Sequence, residues 1–163
     1  MTDYERLIQD FCAMAGLPDA ASVASGSPIE VDGITCSITA SRQRPMDALV
    51  LYTEFGSVPA GREVAVFEEL LSQNYIGAPD AGVSFGYSGV ARHVVCMQQL
   101  RTADVNAQRL ADMLHHIAEK AHEWRRTYFL KAAEPTRAVA SHAVSGGTRA
   151  LLNAARGSLG RPN

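Results

Sequence analysis

The sequence predicts an α+β fold in which an antiparallel sheet of about five strands packs against three helices, in the order α-β-β-β-α-β-β-α. Short apolar segments with period-two alternation, such as residues 34–40 and 83–88, lie between Gly- and Pro-containing turns. Amphipathic segments with apolar residues at steps of three and four stand on both sides of this strand-rich region. For a chain of 163 residues, this pattern predicts one domain, residues 1–130, followed by a tail, residues 131–163.

The first predicted helix covers residues 3–16. Thr2 and Glu5 have the spacing of a capping box, in which each residue's side chain bonds the other's backbone N–H, and Gly16 is a typical helix end. The next segment, residues 19–28, consists of small and polar residues with a Gly and a Pro. That composition predicts a loop.

A β-hairpin follows this loop. Residues 29–31 and 34–40 are apolar or alternating, and only Asp32-Gly33 separates them. Asp-Gly readily adopts the positive φ angles of a two-residue hairpin turn. In residues 34–40 apolar side chains alternate with Thr and Ser, as they do again in residues 83–88, so these two strands should each bury one face.

The middle of the chain is more apolar than one core requires. Residues 48–55 and 94–97 are apolar on both sides, which predicts that part of the sheet is covered on both faces. On a helical wheel, at about 100° per residue, the apolar residues of the intervening helix spread over about half the circumference. They are Val64, Val66, Phe67, Leu70, Leu71 and Tyr75. We expect a second copy of the chain to cover this helix, because self-association commonly buries such surfaces.

The last predicted helix covers about residues 104–130 and carries an apolar stripe with a charged opposite side. The stripe contains Leu110, Leu114, Ile117, Ala121, Trp124 and Tyr128. Beyond it, residues 131–163 are rich in Ala, Gly, Ser and Arg, which predicts a flexible or weakly helical tail. The tail holds five basic residues and one acidic residue, whereas residues 1–130 hold 10 basic and 16 acidic residues. An acidic domain argues against a nucleic-acid-binding face.

Several other function classes lack support in the sequence. No apolar run approaches the roughly 20 residues of a membrane-spanning helix, and the N-terminus lacks the features of a signal peptide, so we expect a soluble protein without a membrane partner. Cys12, Cys36 and Cys96 lie within apolar patterns, which predicts reduced thiols in the core. GxSxG, HExxH, P-loop and GxGxxG motifs are absent, and we expect neither an enzyme nor a cofactor.

One alternative involves a metal. His115, Glu119 and His122 would share one side of the last helix at i, i+4 and i+7, which could hold a divalent ion and support a small metal-dependent enzyme. The other interpretation is a polar helix side that contains histidines, since the sequence shows no further ligand cluster.

With these elements in order, residues 3–130 resemble the class I chaperones of bacterial type III secretion, the CesT/Tir chaperone family. The matching stretches are LVLYTEFGSVP, a helix ending in LLSQNY, the strands AGVSFGYS and VARHVVCMQQL, and a closing helix through HEWRRTY. The helix ending, with Leu70, Leu71 and Asn74, is the most diagnostic part. The basic tail has no counterpart in the family's common pattern.

The resemblance implies a cytoplasmic bacterial homodimer that binds the extended N-terminal segment of one or more secreted effectors. Binding would combine strand addition with side-chain pockets, keep the effector soluble and secretion-competent, and deliver it to the export apparatus, with the secretion ATPase as a further partner. A non-exporting adaptor or regulator with the same dimeric fold is the alternative.

By the same analogy, two sets of residues are assigned to partners. The dimer interface would contain Val66, Phe67, Leu70, Leu71, Val83 and Phe85. The effector-binding residues would be Leu7, Phe11, Ile29, Val31, Ile34 and Ile38. For each residue of the second set, packing in the chain's own core is the alternative role.

Overall fold

The computed structural model describes residues 1–41, 47–77 and 82–130, and the predicted tail, residues 131–163, lies outside this part of the chain. The elements are α1 (Asp3–Ala15), α2 (Ala20–Ala24), β1 (Ile29–Val31), β2 (Ile34–Ala40), β3 (Ala48–Ser57), α3 (Glu63–Gly77), β4 (Val83–Ser88), β5 (His93–Arg101) and α4 (Ala107–Thr127). A 3-10 turn, Thr102–Asp104, precedes α4.

The five strands form one antiparallel sheet in the order β1-β2-β3-β5-β4. The predicted α+β architecture is therefore confirmed. In this order β2, β3 and β5 lie inside the sheet, and β1 and β4 are its two edges.

The predicted capping box of α1 is present. The Thr2 hydroxyl accepts a hydrogen bond from the Glu5 N–H at 3.1 Å, and the Glu5 carboxylate accepts one from the Thr2 N–H at 2.7 Å. The second bond lowers the pKa of Glu5. At the other end Gly16 adopts a left-handed conformation with φ 69°.

The segment predicted as a loop contains a short helix, α2, so the prediction for residues 19–28 is wrong in part. The Asp19 carboxylate caps this helix by accepting a hydrogen bond from the Ser22 N–H at 2.9 Å. A helix of five residues is too short to show a helical period, and its Ala- and Ser-rich sequence resembles a loop.

The last helix, Ala107–Thr127, is shorter than predicted at both ends, and Asp104 belongs to the 3-10 turn that precedes it. Asn106 caps α4, with its side-chain oxygen accepting from the Arg109 N–H at 2.8 Å. The helix ends at Thr127, and Tyr128 follows in a left-handed conformation with φ 54°.

The core lies on one face of the sheet. Alternate residues of β2 and β3, such as Ile38 and Leu51, are buried there with apolar side chains of α1 and α4. On the second face Tyr52 of β3 pairs across the strands with Met97 of β5, and both are half-buried. These two residues and Val50 line an open groove of about 940 Å³. Among the described residues, no helix covers this second face of the sheet. The prediction that part of the sheet is covered on both faces is therefore not confirmed by a helix.

Candidate functional site

The apolar residues of α3 cover about half of its circumference, and the structure divides them between the core and the surface. Val66 and Leu70 are buried against the sheet, whereas Leu71 is 66% exposed and Tyr75 is 85% exposed. Five large apolar side chains on α3 and the adjacent strand β4 are exposed, and we call them the α3 surface. They are Val64, Leu71, Tyr75, Ile76 and Tyr87.

The six residues assigned to a dimer interface therefore occupy different environments. Val66 and Leu70 hold α3 against the sheet and are 0% and 5% exposed, so each offers little or no surface to a partner. Phe67, Val83 and Phe85 are half-buried, and Leu71 is exposed. The helical wheel showed Val64 and Tyr75 as apolar, but it could not tell which side of the helix faces the sheet.

A shallow cavity of about 300 Å³ lies beside the α3 surface. Phe67, Leu71, Phe85 and Tyr87 line it, and the rings of Phe67 and Tyr87 meet edge to face at 5.1 Å. The cavity offers almost only carbon to a partner, which suits an apolar side chain.

Asn74 joins α3 to the edge strand β4. Its side-chain oxygen accepts a hydrogen bond from the Phe85 N–H at 2.7 Å, and its side-chain NH₂ donates to the Phe85 carbonyl at 3.0 Å. The carboxamide thus bonds both main-chain groups of one residue. Asn74 belongs to the helix ending that carries the family resemblance, but its role does not follow from the sequence, because its partner lies in another element.

The opposite edge of the sheet is built differently. The hairpin turn residues Asp32 and Gly33 have φ 51° and 75°, and Val31 pairs with Ile34 across the turn. In a two-residue hairpin this pair is hydrogen-bonded, so the N–H and C=O of Glu30 point away from β2. Glu30 is exposed.

A small apolar groove of about 260 Å³ adjoins this β1 edge. It lies between α1, β1 and α4, and its apolar lining is Phe11, Ala15, Leu17, Ile29, Val31, Ala111 and Leu114. Of the six residues assigned to effector binding, Ile29 and Val31 are half-buried in this groove and Phe11 contributes to its base. Leu7, Ile34 and Ile38 are buried in the core.

A second, larger groove of about 700 Å³ lies between α4 and the β4 side of the sheet. Its apolar lining is Phe55, Val83, Phe85, Ile117, Phe129 and Leu130. Gln73, Gln98 and Glu123 supply polar groups at its margin. Val83 and Phe85, which the resemblance assigned to the dimer, therefore also border a groove.

The histidines of α4 contact the hairpin turn. His115 Nδ1 lies 2.7 Å from an Asp32 carboxylate oxygen, and His122 Nε2–H donates to the Asp32 carbonyl at 2.9 Å. Among residues 1–41, 47–77 and 82–130, no group of three or more His, Cys, Asp or Glu side chains has the arrangement of a metal site. The predicted face of His115, Glu119 and His122 instead includes two side chains that fasten the turn to α4.

No helix in the part of the chain that the structure describes is long and apolar enough to cross a membrane.

Comparisons with known proteins identify a family and a fold. The model of the Tir chaperone protein (CesT) family matches residues 6–125. A comparison with curated protein sequences gives no significant match. Similar solved structures include the type III secretion chaperone SycH of Yersinia pestis, in complex with a stable fragment of YscM2. That chain is 17% identical, the match covers 74% of this chain and 98% of that chain, and the TM-score is 0.56.

Two further complexes contain a chain of the same fold. For the ExsC–ExsE complex the identity is 20%, the match covers 80% of this chain and 95% of that chain, and the TM-score is 0.61. For the HopA1–SchA chaperone–effector complex the identity is 14%, the match covers 76% of this chain and 94% of that chain, and the TM-score is 0.58.

These structural likenesses show the fold alone, whereas the family model spans most of the sequence, from the first helix to the last. The family is one of chaperones rather than enzymes. The chain belongs to the Tir chaperone protein (CesT) family.

Proposed function

We propose that the chain is a type III secretion chaperone that acts as a homodimer in the bacterial cytoplasm and has no enzymatic activity. It binds the extended N-terminal segment of one or more effectors, keeps them soluble and secretion-competent, and delivers them to the export apparatus, where the secretion ATPase is a further partner. Family membership supports this proposal, as do the similar folds in a SycH–YscM2 complex and a HopA1–SchA chaperone–effector complex. Residues 1–130 form the chaperone domain, and residues 131–163 form a basic tail.

The observation that carries the proposal is the outer edge of β1, which lies beside an apolar groove and which no other strand of the described residues pairs with. The outward N–H and C=O of Glu30 can pair with the main chain of an extended segment. Alternate side chains of a strand point to the same side, so residues of that segment on either side of the paired one would reach the groove at Ile29 and Val31.

The α3 surface supports the homodimer. Leu71, Tyr75 and Ile76 are large apolar residues with most of their surface in water, and a monomer gains nothing from such exposure. A second copy that packs on the same surface would bury both sets by a two-fold symmetric contact.

The test is co-expression of the chain with the N-terminal segment of an effector encoded beside its gene. We expect a stable complex that survives purification. Glu30→Pro removes the outward N–H without removing a bond to β2, so the affinity for the segment should fall about fivefold, as for the loss of about 1 kcal/mol. Glu30→Ala keeps that N–H and serves as the matched control.

Equal affinities of the Pro and Ala variants would contradict strand addition at β1. A chain that ignores every effector segment and instead binds a folded protein would be an adaptor, and the chaperone proposal would be wrong.

A further inference from the structure

The two edges of the sheet differ in what covers their outward main-chain groups. At the β4 edge the Gly82 carbonyl accepts from the Gln99 N–H of β5 at 2.9 Å. Because the direction of main-chain groups alternates along a strand, Ser84 and Gly86 also face β5, and the groups of Val83, Phe85 and Tyr87 point outward. Phe85 is the central residue of this outward set.

Asn74 occupies the place at Phe85 that another strand would need. A carboxamide has the same donor and acceptor as a peptide group, and it bonds both the N–H and the C=O of Phe85. An added strand must pair with consecutive outward residues. With Phe85 already paired, Val83 and Tyr87 are too far apart to provide a continuous ladder.

We propose that Asn74 blocks strand addition at the β4 edge. By doing so, it directs an extended partner segment to the β1 edge. The part about the partner segment rests on the proposed function. Natural sheets need such protection, because an unpaired edge is a template for pairing with other chains.

A second side chain covers outward groups on the β1 side. The Tyr4 hydroxyl lies 3.0 Å from the carbonyl of Ile38, a residue of β2 beyond the end of β1. Asn74 thus covers outward groups at the β4 edge, and Tyr4 covers one on the β1 side. Among the described residues, the outward groups of Glu30 on β1 have no such cover. The preceding residue, Pro28, has no N–H to offer, which limits strand addition to a short segment around Glu30.

Asn74 also fixes the position of α3 relative to β4. Leu70 and Phe67 hold the helix by apolar contact, which allows sliding, whereas the two hydrogen bonds of Asn74 set its position along β4. The α3 surface is therefore presented to a second copy by its side chains, and the two sheets do not join edge to edge.

The test is amide hydrogen exchange on the full chain with Asn74→Ala and Asn74→Asp. In the Ala variant, loss of the bond to the Phe85 N–H should speed exchange of that amide about tenfold, while the Cys96 amide inside the sheet keeps its rate. The Asp variant still accepts from the Phe85 N–H but repels the carbonyl, so its effect should be smaller. Gln73→Ala is the matched control, because the Gln73 side chain bonds Glu69 of its own helix at 2.9 Å and bonds no other described residue.

Strand addition is then measured with a synthetic peptide of the β4 sequence, VSFGYS. We expect the peptide to restore protection of the Phe85 amide in Asn74→Ala and to leave the wild-type rate unchanged. Three results would overturn the proposal: a wild-type exchange rate at Phe85 in the Ala variant, equal acceleration at Phe85 and Cys96, or equal peptide protection in both proteins. Effector binding at Glu30 is measured separately, so either proposal can fail alone.

Discussion

At the scale of single residues, burial controls the groups that titrate at alkaline pH. Burial raises the pKa of Tyr4 from 10.0 to about 12, and it raises the pKa of Cys96 from 9.0 to about 12. Burial also raises the pKa of Cys36, which hydrogen-bonds Thr53 in the core. The folded chain therefore holds these protons more tightly than the unfolded chain does.

This difference predicts a loss of stability at alkaline pH. A raised folded-state pKa contributes stability that is complete below the unfolded pKa, here 9.0 for Cys96 and 10.0 for Tyr4, and is lost as pH rises toward about 12. Urea unfolding should show a nearly constant contribution from these groups below about pH 8 and a falling free energy of unfolding above about pH 10.

Tyr4→Phe tests what the Tyr4 hydroxyl contributes to stability, both at neutral pH through its hydrogen bond and at alkaline pH through its titration. The Tyr4 hydroxyl lies 3.0 Å from the carbonyls of both Ala24 and Ile38, so its removal should lower the free energy of unfolding by about 1 kcal/mol at neutral pH. The variant should also lose stability less steeply above about pH 10, because the tyrosine no longer titrates. An unchanged alkaline slope would show that Tyr4 does not contribute.

At the scale of elements, adjacent residues of α3 lie in two environments, the core and the α3 surface. Leu70 is 5% exposed and packs in the core, whereas Leu71 is 66% exposed on the α3 surface. The two leucines are about 100° apart around the helix axis, which is enough to turn one inward and the other outward.

A charge at each leucine should therefore have a different result. Leu71→Asp should leave the fold intact and convert the dimer to a monomer, since a carboxylate on the α3 surface resists burial against a second copy. Leu70→Asp should lower the free energy of unfolding by several kcal/mol, because it places the same charge in the core. Circular dichroism and light scattering distinguish these outcomes, and a dimeric Leu71→Asp at micromolar concentration would place the interface elsewhere.

The sequence predicted those elements whose signals are local. The capping box at Thr2 and the Asp32-Gly33 turn depend on neighbouring residues only, and both are present. Helix α2 was missed because its five residues are too few to show a helical period, so the segment resembles a loop. The start of α4 was placed too early, since Asp104 lies in the preceding 3-10 turn and the cap residue Asn106 stands just before the helix.

The candidate site depended more on tertiary structure. The resemblance assigned Val66 and Leu70 to the interface, and both are buried in the core. An apolar arc of about half the circumference does not show which part of it faces the sheet. The pairing of Asn74 with Phe85 joins residues of two elements and follows only from the position of α3 beside β4. The resemblance assigned Ile29 and Val31 to effector binding, which stays a prediction, and both residues line a small groove.

At the scale of the whole molecule, the strand order separates the two proposed binding surfaces. The β1 edge and the β4 edge lie on opposite sides of the sheet, and the α3 surface lies beside β4. A second copy bound to the α3 surface would therefore leave Glu30 and its groove free. In the proposed dimer, each protomer would then keep its outer edge for an effector segment.

The most direct test is the mass of the purified chain in solution, measured by light scattering after size exclusion. The exposed α3 surface predicts a single species of twice the chain mass of 17.5 kDa at micromolar concentration. A monodisperse species of 17.5 kDa, with Leu71 and Tyr75 open to solvent, would contradict the account.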